Sequence, residues 1–107
     1  MIIVLTSVAN RAEAKSLAEK IISAKLAACV QILPQITSVY FWEDRMQSEA
    51  ESLLLIKTLP DKYDELQTFI TANHSYEVPE IVAIDAEKVS EPYLAWMSDV
   101  LSSESRL

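Results

Sequence analysis

The densest cluster of polar side chains that could do chemistry lies in residues 74–81, which read HSYEVPEI. His74 is the only histidine of the chain, and Glu77 follows it by three residues. An imidazole and a carboxylate together suit a divalent transition metal such as Cu(II). Pro79 restricts Val78 to an extended conformation, so we expect a shaped loop. The spacing predicts a metal site at His74 and Glu77; the alternative is that these residues only hold the loop in place.

Cys29 is the only cysteine and lies in the apolar run LAACV, residues 26–30. A single cysteine excludes an internal disulfide and a zinc site built from several cysteines of one chain. We count Cys29 as a third candidate metal ligand, with a buried thiol acting as a small hydrophobic group as the alternative. A catalytic pair of Cys29 and His74 is disfavoured, because a buried strand thiol is a poor nucleophile. We therefore expect no enzyme, and no cofactor that is required for folding.

Aromatic residues lie beside charged residues in the segment YFWEDR, residues 40–45. The charged neighbours are mainly acidic, so packing or subunit contact is favoured over stacking on nucleic acid. Lys57 ends an otherwise apolar strand and must pair or reach solvent, and we predict that it meets Glu77 in a pocket.

The chain has 107 residues and a formal net charge of −7. Residues 59–107 contain ten acidic and three basic residues, whereas residues 1–58 are balanced. The negative electric field around residues 59–107 repels nucleic acid and anionic lipid headgroups and attracts cations. No apolar run approaches the ~20 residues that span a bilayer, and residues 1–8 do not resemble a signal peptide. We expect one cytoplasmic domain over residues 1–107, without a nucleic-acid or membrane partner.

Glycine is absent from the chain. The glycine-rich loops that cradle phosphate groups are therefore excluded. Turns that need a positive φ must use Asn, Asp or His, which tolerate it best among the other residues. The candidates are Asn10, Asp44, Asn73 and His74.

Hydrophobic periodicity predicts an alternation of strands and helices. Strands are expected at residues 1–8, 26–33, 52–58 and 80–86. Pro34 ends the second strand, residues 36–42 continue in an extended conformation, and residues 43–44 form a hairpin tip. Asn10 and Glu13 form a capping box before the first helix, Pro60 begins the second, and Ser90 caps the third. The order β-α-β-β-α-β-α predicts an α+β, ferredoxin-like fold with an antiparallel sheet and an extra C-terminal helix.

The predicted sheet is too apolar for a face exposed to water. The segments LLLI, residues 53–56, and IVAI, residues 81–84, are hydrophobic on both faces. The third helix can cover only part of the second face. The hairpin arms, residues 36–47 and 48–58, are also longer than the strands that one small sheet needs. We therefore expect a homo-oligomer.

Several segments in order resemble the CutA divalent-cation tolerance family. They are KLAACV at 25–30, LPQITSVYFWE at 33–43, LIKT at 55–58, HSYEVPEI at 74–81 and YLAW at 93–96. The resemblance covers nearly the whole chain. It implies a cytoplasmic homotrimer with strands paired between subunits, a link to tolerance of copper and other divalent metals, and no enzymatic activity.

The copper ligands known in some members of the family are only partly present at the matching positions of this chain. In some members copper is held near a cysteine at the end of the first strand and at the histidine that matches His74. Thr6 occupies that cysteine position here, and Cys29 matches a different cysteine of the family.

Three other functions are alternatives. A signalling module similar to the trimeric PII nitrogen-signalling proteins would bind a small molecule in a cleft between subunits. That similarity implies a cleft lined by Tyr40, Trp42, Lys57, Tyr76 and Glu77. A hydrolase similar to the acylphosphatases would need a cationic loop, and residues 6–11 offer only Arg11. An RNA-binding domain is disfavoured by the negative charge and by the lack of a basic-aromatic motif.

Overall fold

The computed structural model describes residues 1–102, and the predicted order of elements is confirmed within that range. A short 3₁₀ turn, Pro60–Lys62, precedes the second helix. The strands and helices are β1 (Ile2–Val8), α1 (Arg11–Ser23), β2 (Cys29–Trp42), β3 (Arg45–Thr58), α2 (Tyr63–Asn73), β4 (Val82–Asp85) and α3 (Glu91–Ser102).

The four strands form one antiparallel sheet in the order β2-β3-β1-β4. Strand β1 is central, since Val4 pairs with Ile56 of β3 on one side and with Ala83 of β4 on the other. This strand order and the two crossing helices are those of the ferredoxin-like fold that the sequence predicts.

The main hydrophobic core lies between the sheet and helices α1 and α2. Alternate residues of a strand point to the same face, and Val4 and Ile56 are fully buried on the helical side. Ile21 of α1 and Leu66 of α2 are fully buried against them.

Helix α3 covers part of the opposite face of the sheet. Lys57 neighbours Ile56 in β3 and therefore points away from the main core. Its Nζ lies 5.6 Å from the centroid of the Tyr93 ring on α3. Met97 and Leu101 are buried outside the main core cluster. Trp96 of the same helix is 45% exposed.

Helix α1 begins and ends with defined hydrogen bonds. Asn10 Oδ1 accepts a 2.9 Å bond from the Glu13 N–H, as predicted, and Glu13 Oε2 accepts one of 3.2 Å from the Ala9 N–H. At the other end, the Lys25 N–H donates to the Ile22 carbonyl. Lys25 has a φ of 60° there, a position where glycine is usual.

The backbone positions with positive φ differ from those expected. Within residues 1–102 they are Lys25, Glu43 and Asp44, so Asp44 is correct, whereas Asn73 lies in helix α2. Asn10 and His74 are both extended, with φ of −157° and −95°. The prediction failed at the other positions because the end of a helix and the tip of a hairpin require a positive φ at a fixed place in the backbone. The residue at that place adopts it whatever its type.

Strand β2 continues through Pro34, so the prediction that Pro34 ends it is wrong. Proline lacks an N–H donor but is tolerated at a sheet edge or bulge, and β2 is an edge strand with a register shift between Leu33 and Ile36. Strand β3 begins at Arg45 instead of residue 52, since the hairpin pairs as far as Trp42 and Arg45.

The β2–β3 hairpin forms a two-stranded arm that leaves the body of the molecule. Strand β1 pairs with β3 only over residues 52–58, so residues 45–51 pair with β2 alone. The molecule consequently measures 48 × 29 × 23 Å. Within residues 1–102, no helix is long and apolar enough to cross a membrane.

Candidate functional site

A cavity of about 610 Å³ lies where the hairpin arm leaves the sheet. The end of β1, both strands of the arm and the loop that follows α2 all contribute to it. Its lining residues are Ser7, Ser38, Val39, Tyr40, Trp42, Glu49, Glu51, Tyr76, Glu77, Val78 and Glu80.

The bulge in β2 determines which arm side chains share a face with the cavity. Residues opposite each other in an antiparallel pair point to the same face. Beyond the bulge, Ser38 pairs with Glu49 and Tyr40 with Gln47. Tyr40 and Trp42 therefore lie on the same face as Glu49, and not on the face that carries Phe41.

Two tyrosines donate hydrogen bonds to two glutamates in the cavity. The Tyr76 hydroxyl donates to Glu51 Oε1 at 2.7 Å, and the Tyr40 hydroxyl donates to Glu49 Oε1. Burial raises the pKa of the Tyr76 phenol, and the bond to Glu51 raises it further. The bond to Glu49 is the main cause of the raised pKa of Tyr40. Both phenols therefore remain neutral donors at physiological pH.

Glu51 is a buried carboxylate, with 8% of its surface exposed. The charged residues that line the cavity within residues 1–102 are all glutamates, because Glu49, Glu77 and Glu80 join Glu51 there and no lysine or arginine does. A buried charge is costly unless it is paired or hydrogen-bonded. Here the Tyr76 hydroxyl supplies the hydrogen bond to the Glu51 carboxylate.

His74 holds the loop above the cavity by both of its ring nitrogens. Its Nδ1 accepts a 3.0 Å hydrogen bond from the Tyr76 N–H, and its Nε2 lies 2.8 Å from the Ser7 carbonyl oxygen. Since a carbonyl only accepts, Nε2 carries the proton and the ring is neutral. The imidazole thus links the loop to the end of β1 and positions the Tyr76 side chain over Glu51.

Four of the five residues predicted for the cleft line one cavity. Tyr40, Trp42, Tyr76 and Glu77 are brought together, whereas Lys57 is not among the lining residues. The predicted Lys57–Glu77 pair is wrong, because the Lys57 ammonium lies over the Tyr93 ring.

Cys29 belongs to a separate cluster with Lys57 and Tyr93. It lies directly opposite Lys57 in the β2–β3 pairing. Burial raises the pKa of Tyr93, and the adjoining Cys29 thiol raises it further. Lys57 is paired with Ile3 of β1, whereas His74 contacts Ser7, four residues further along that strand. At 3.3 Å per residue the separation is about 13 Å, so Cys29 and His74 of one chain do not share a metal ion.

Within residues 1–102, no three side chains of His, Cys, Asp or Glu are grouped as ligands of a metal ion. His74 has a lone pair only on Nδ1, and that lone pair already accepts from Tyr76. A complete coordination shell at this site would therefore need ligands beyond those that one chain brings together.

The sequence reading missed Glu49 and Glu51. It began the returning strand at residue 52, after both glutamates. Both glutamates lie on the face of β3 that also carries Lys57 and is turned away from the main core. No local pattern marks them, because the burial of Glu51 involves the loop after α2.

The fold and the cavity define a small ferredoxin-like α+β protein with an acidic, aromatic pocket at the base of a long hairpin. A family model described as CutA1 divalent ion tolerance protein matches residues 2–100. The chain therefore belongs to the CutA1 family, as its ordered sequence segments indicate.

Relatives from plants and bacteria match most of the chain. A rice protein named Protein CutA 1, chloroplastic, is 46% identical over 98 residues, which are 92% of this chain and 55% of the rice protein. The divalent-cation tolerance protein CutA of Yersinia pestis is 37% identical over 97 residues, covering 91% of this chain and 82% of that protein. The chain thus spans about half the length of the plant relatives. The bacterial and family names describe ion tolerance and no catalytic activity.

Solved structures of the family superpose closely. The periplasmic divalent cation tolerance protein CutA of Archaeoglobus fulgidus has a TM-score of 0.91 at 30% identity, covering 95% of this chain and 100% of that one. The rice CutA1 structure has a TM-score of 0.90 at 45% identity, with 92% and 91% covered. Both the core fold and the long hairpin are therefore family features.

Proposed function

We propose that this chain forms a non-enzymatic homotrimer that binds divalent cations, including Cu(II), at the acidic cavity. The observation that carries the proposal is the cavity lining, which contains four glutamates and no basic residue within residues 1–102. The names of the family and of its bacterial members support the choice of a divalent ion. We also keep the cytoplasmic location as a prediction.

The apolar surface of the hairpin arm supports assembly. Phe41 is 79% exposed, Met46 74% and Val39 63%, and the strand pairing places all three on one face of the arm. A contiguous apolar patch of this kind typically marks a protein interface. A second copy of the chain would bury the patch, and it would also bring new side chains to the cavity beside it.

Copper is assigned to the loop after α2, with Glu77 of the cavity lining and His74, which lies outside that lining, as ligands. The His74 lone pair is on Nδ1, so metal binding would replace its hydrogen bond from Tyr76. The remaining ligands would come from a second copy, since one chain supplies no group of three within residues 1–102. Cys29 remains a candidate thiolate ligand at a separate location, opposite Lys57 in the β2–β3 pairing.

Native mass spectrometry with and without Cu(II) tests the assembly and the metal together. We expect three chains of 12.0 kDa each, with copper uptake that Glu77→Gln and His74→Ala both reduce. Glu65→Gln on α2, exposed and outside the cavity lining, is the matched control and should bind as the wild type does. A monomer, or undiminished copper affinity in both cavity variants, would contradict the proposal.

A second candidate function is the binding of a small organic molecule in the same cavity, as in a signalling module. The specific observation is its size, because about 610 Å³ is typical of small-molecule sites and far exceeds one ion. A thermal-shift screen of metabolites tests this function, since a ligand that binds only the folded state raises the melting temperature. No stabilisation by any metabolite would count against it.

A further inference from the structure

The Glu51 carboxylate has no positively charged partner in the cavity. Only 8% of the Glu51 surface is exposed, and the residue lines the cavity. Within residues 1–102, no lysine or arginine lines this cavity. The hydrogen bond that its side chain accepts comes from a neutral hydroxyl, that of Tyr76. A neutral donor offsets only part of the cost of burying a charge. The arrangement lacks the counter-charge that a cationic ligand would supply.

The aromatic rings that line the cavity suit an organic cation better than a metal ion. Tyr40, Trp42 and Tyr76 all line the cavity. Aromatic faces attract ammonium groups at distances up to about 6 Å from the ring centroid. They also offer apolar surface to an alkyl chain, which a hydrated metal ion cannot use.

The carboxylates are arranged in two sets. Glu49 and Glu51 lie on β3, whereas Glu77 and Glu80 lie on the loop after α2. A linear molecule with an ammonium group at each end could meet both sets at once, with its alkyl chain against Trp42.

We propose that the cavity binds a small aliphatic diamine, with one ammonium group at Glu51 and Glu49 and the other at the loop glutamates. This inference rests on the second candidate function, small-molecule binding, and names its ligand class. It differs from the copper assignment in its use of Glu51 and Glu49, although both ligands would contact the loop carboxylate of Glu77. The Tyr76 hydroxyl orients Glu51, and the rings of Tyr40 and Trp42 enclose the chain of the ligand.

Isothermal titration calorimetry with 1,4-diaminobutane on the full chain tests the proposal. We expect saturable binding of the diamine and none of 1,4-butanediol, which has a similar length and no charge. Glu51→Gln keeps the shape and removes the charge, and should weaken the affinity at least about tenfold, because the ion pair is lost. Trp42→Leu should weaken it several-fold, and Glu65→Gln should leave it unchanged.

A second variant protects the test against misfolding. Glu51 is buried, so circular dichroism and native mass must first show that Glu51→Gln retains the wild-type fold and assembly. If it does not, Glu49→Gln on the exposed arm replaces it, with the same expected weakening of diamine binding. Equal affinity for the diamine and the diol, or unchanged affinity in the folded Glu variant and in Trp42→Leu, would overturn the proposal.

Copper uptake by the same proteins separates the two proposals. The diamine proposal is supported when Glu51→Gln loses diamine binding and still takes up copper, because the two ligands then depend on different carboxylates. It is also supported when the wild-type chain binds diamine and no copper, an outcome in which only the copper assignment fails. Copper uptake by a wild-type chain that binds no diamine overturns the diamine proposal alone.

Discussion

The Tyr76 hydroxyl donates a 2.7 Å hydrogen bond to Oε1 of Glu51, and this bond joins the loop after α2 to the arm strand β3. The donor is held in place by its own backbone, since the Tyr76 N–H donates to His74 Nδ1. His74 is in turn fixed to the Ser7 carbonyl of β1. A chain of three hydrogen bonds therefore connects the central strand of the sheet to the buried carboxylate of the cavity.

Tyr76→Phe removes the donor of this bond, and we expect it to lower the free energy of unfolding at pH 7 by about 1.5 kcal/mol, because Glu51 then lacks its partner. The pKa of Tyr76 is raised in the folded state. The unfolded phenol loses its proton above about pH 10, whereas the folded phenol keeps it. The stabilisation from this proton is thus complete below pH 10 and declines as the pH rises further.

Urea denaturation between pH 7 and 11 measures this decline. We expect the wild type to lose more stability than Tyr76→Phe does between pH 9.5 and 11, so that the two curves converge. Tyr63→Phe serves as the control, since Tyr63 packs at the main core away from the cavity. Parallel curves for the wild type and Tyr76→Phe across the whole range would show that the bond does not control this proton.

Much of the fold could be predicted from the sequence because its elements have strong local signals. The period of the apolar residues, the Asn10 cap and the hairpin tip at Asp44 each depend on neighbours within a few residues, and all three are confirmed. The continuation of β2 through Pro34 could not be read in this way. It depends on β2 being an edge strand, which is a property of the assembled sheet.

The candidate site could be predicted only in part, for a similar reason. The residues Tyr40, Trp42, Tyr76 and Glu77 are chemically conspicuous, and they do line one cavity. The proposed partner of Glu77 was wrong because Lys57 lies at the far end of β3 from the arm. Glu51 was missed because its burial is produced by the loop above it, and that loop contact spans 25 residues of sequence.

Thr6→Val should stabilise the protein. The Thr6 side chain is fully buried in β1, and its hydroxyl has no hydrogen-bond partner among residues 1–102. An unsatisfied buried hydroxyl costs about 1–3 kcal/mol, and valine has nearly the same shape and favours strands. We expect the free energy of unfolding to rise by about 1 kcal/mol in urea denaturation.

Thr58→Val is the matched control for that substitution. Thr58 is also fully buried, but its hydroxyl donates a 2.7 Å bond to the Leu26 carbonyl. The same chemical change should here destabilise the protein by about 1 kcal/mol, because the carbonyl loses its donor. Equal effects of the two substitutions would mean that hydrogen bonding does not distinguish the two hydroxyls.

Asn10→Ala should lower the free energy of unfolding by about 1 kcal/mol, since it removes the side-chain acceptor for the Glu13 N–H at the start of α1. Thermal unfolding monitored by circular dichroism measures the change. Asn10→Asp keeps the acceptor oxygen and should behave as the wild type does. A loss of stability as large in Asn10→Asp as in Asn10→Ala would show that the cap is not the cause.

Asp44→Gly should stabilise the hairpin arm. Glu43 and Asp44 have φ of 52° and 60°, the pattern of a two-residue turn in which both central residues need a positive φ. Glycine adopts that conformation without the steric cost that a Cβ imposes. The gain is reduced by the greater freedom of glycine in the unfolded chain, so we expect the free energy of unfolding to rise by about 0.5 kcal/mol in urea denaturation.

Ser48→Gly is the control, because it removes a side chain within β3 where the strand is extended. It should destabilise the protein by a similar amount. The opposite signs of these two glycine substitutions follow from the backbone angle alone, so a destabilising Asp44→Gly would mean that the Asp44 side chain contributes more to the arm than its conformational cost removes.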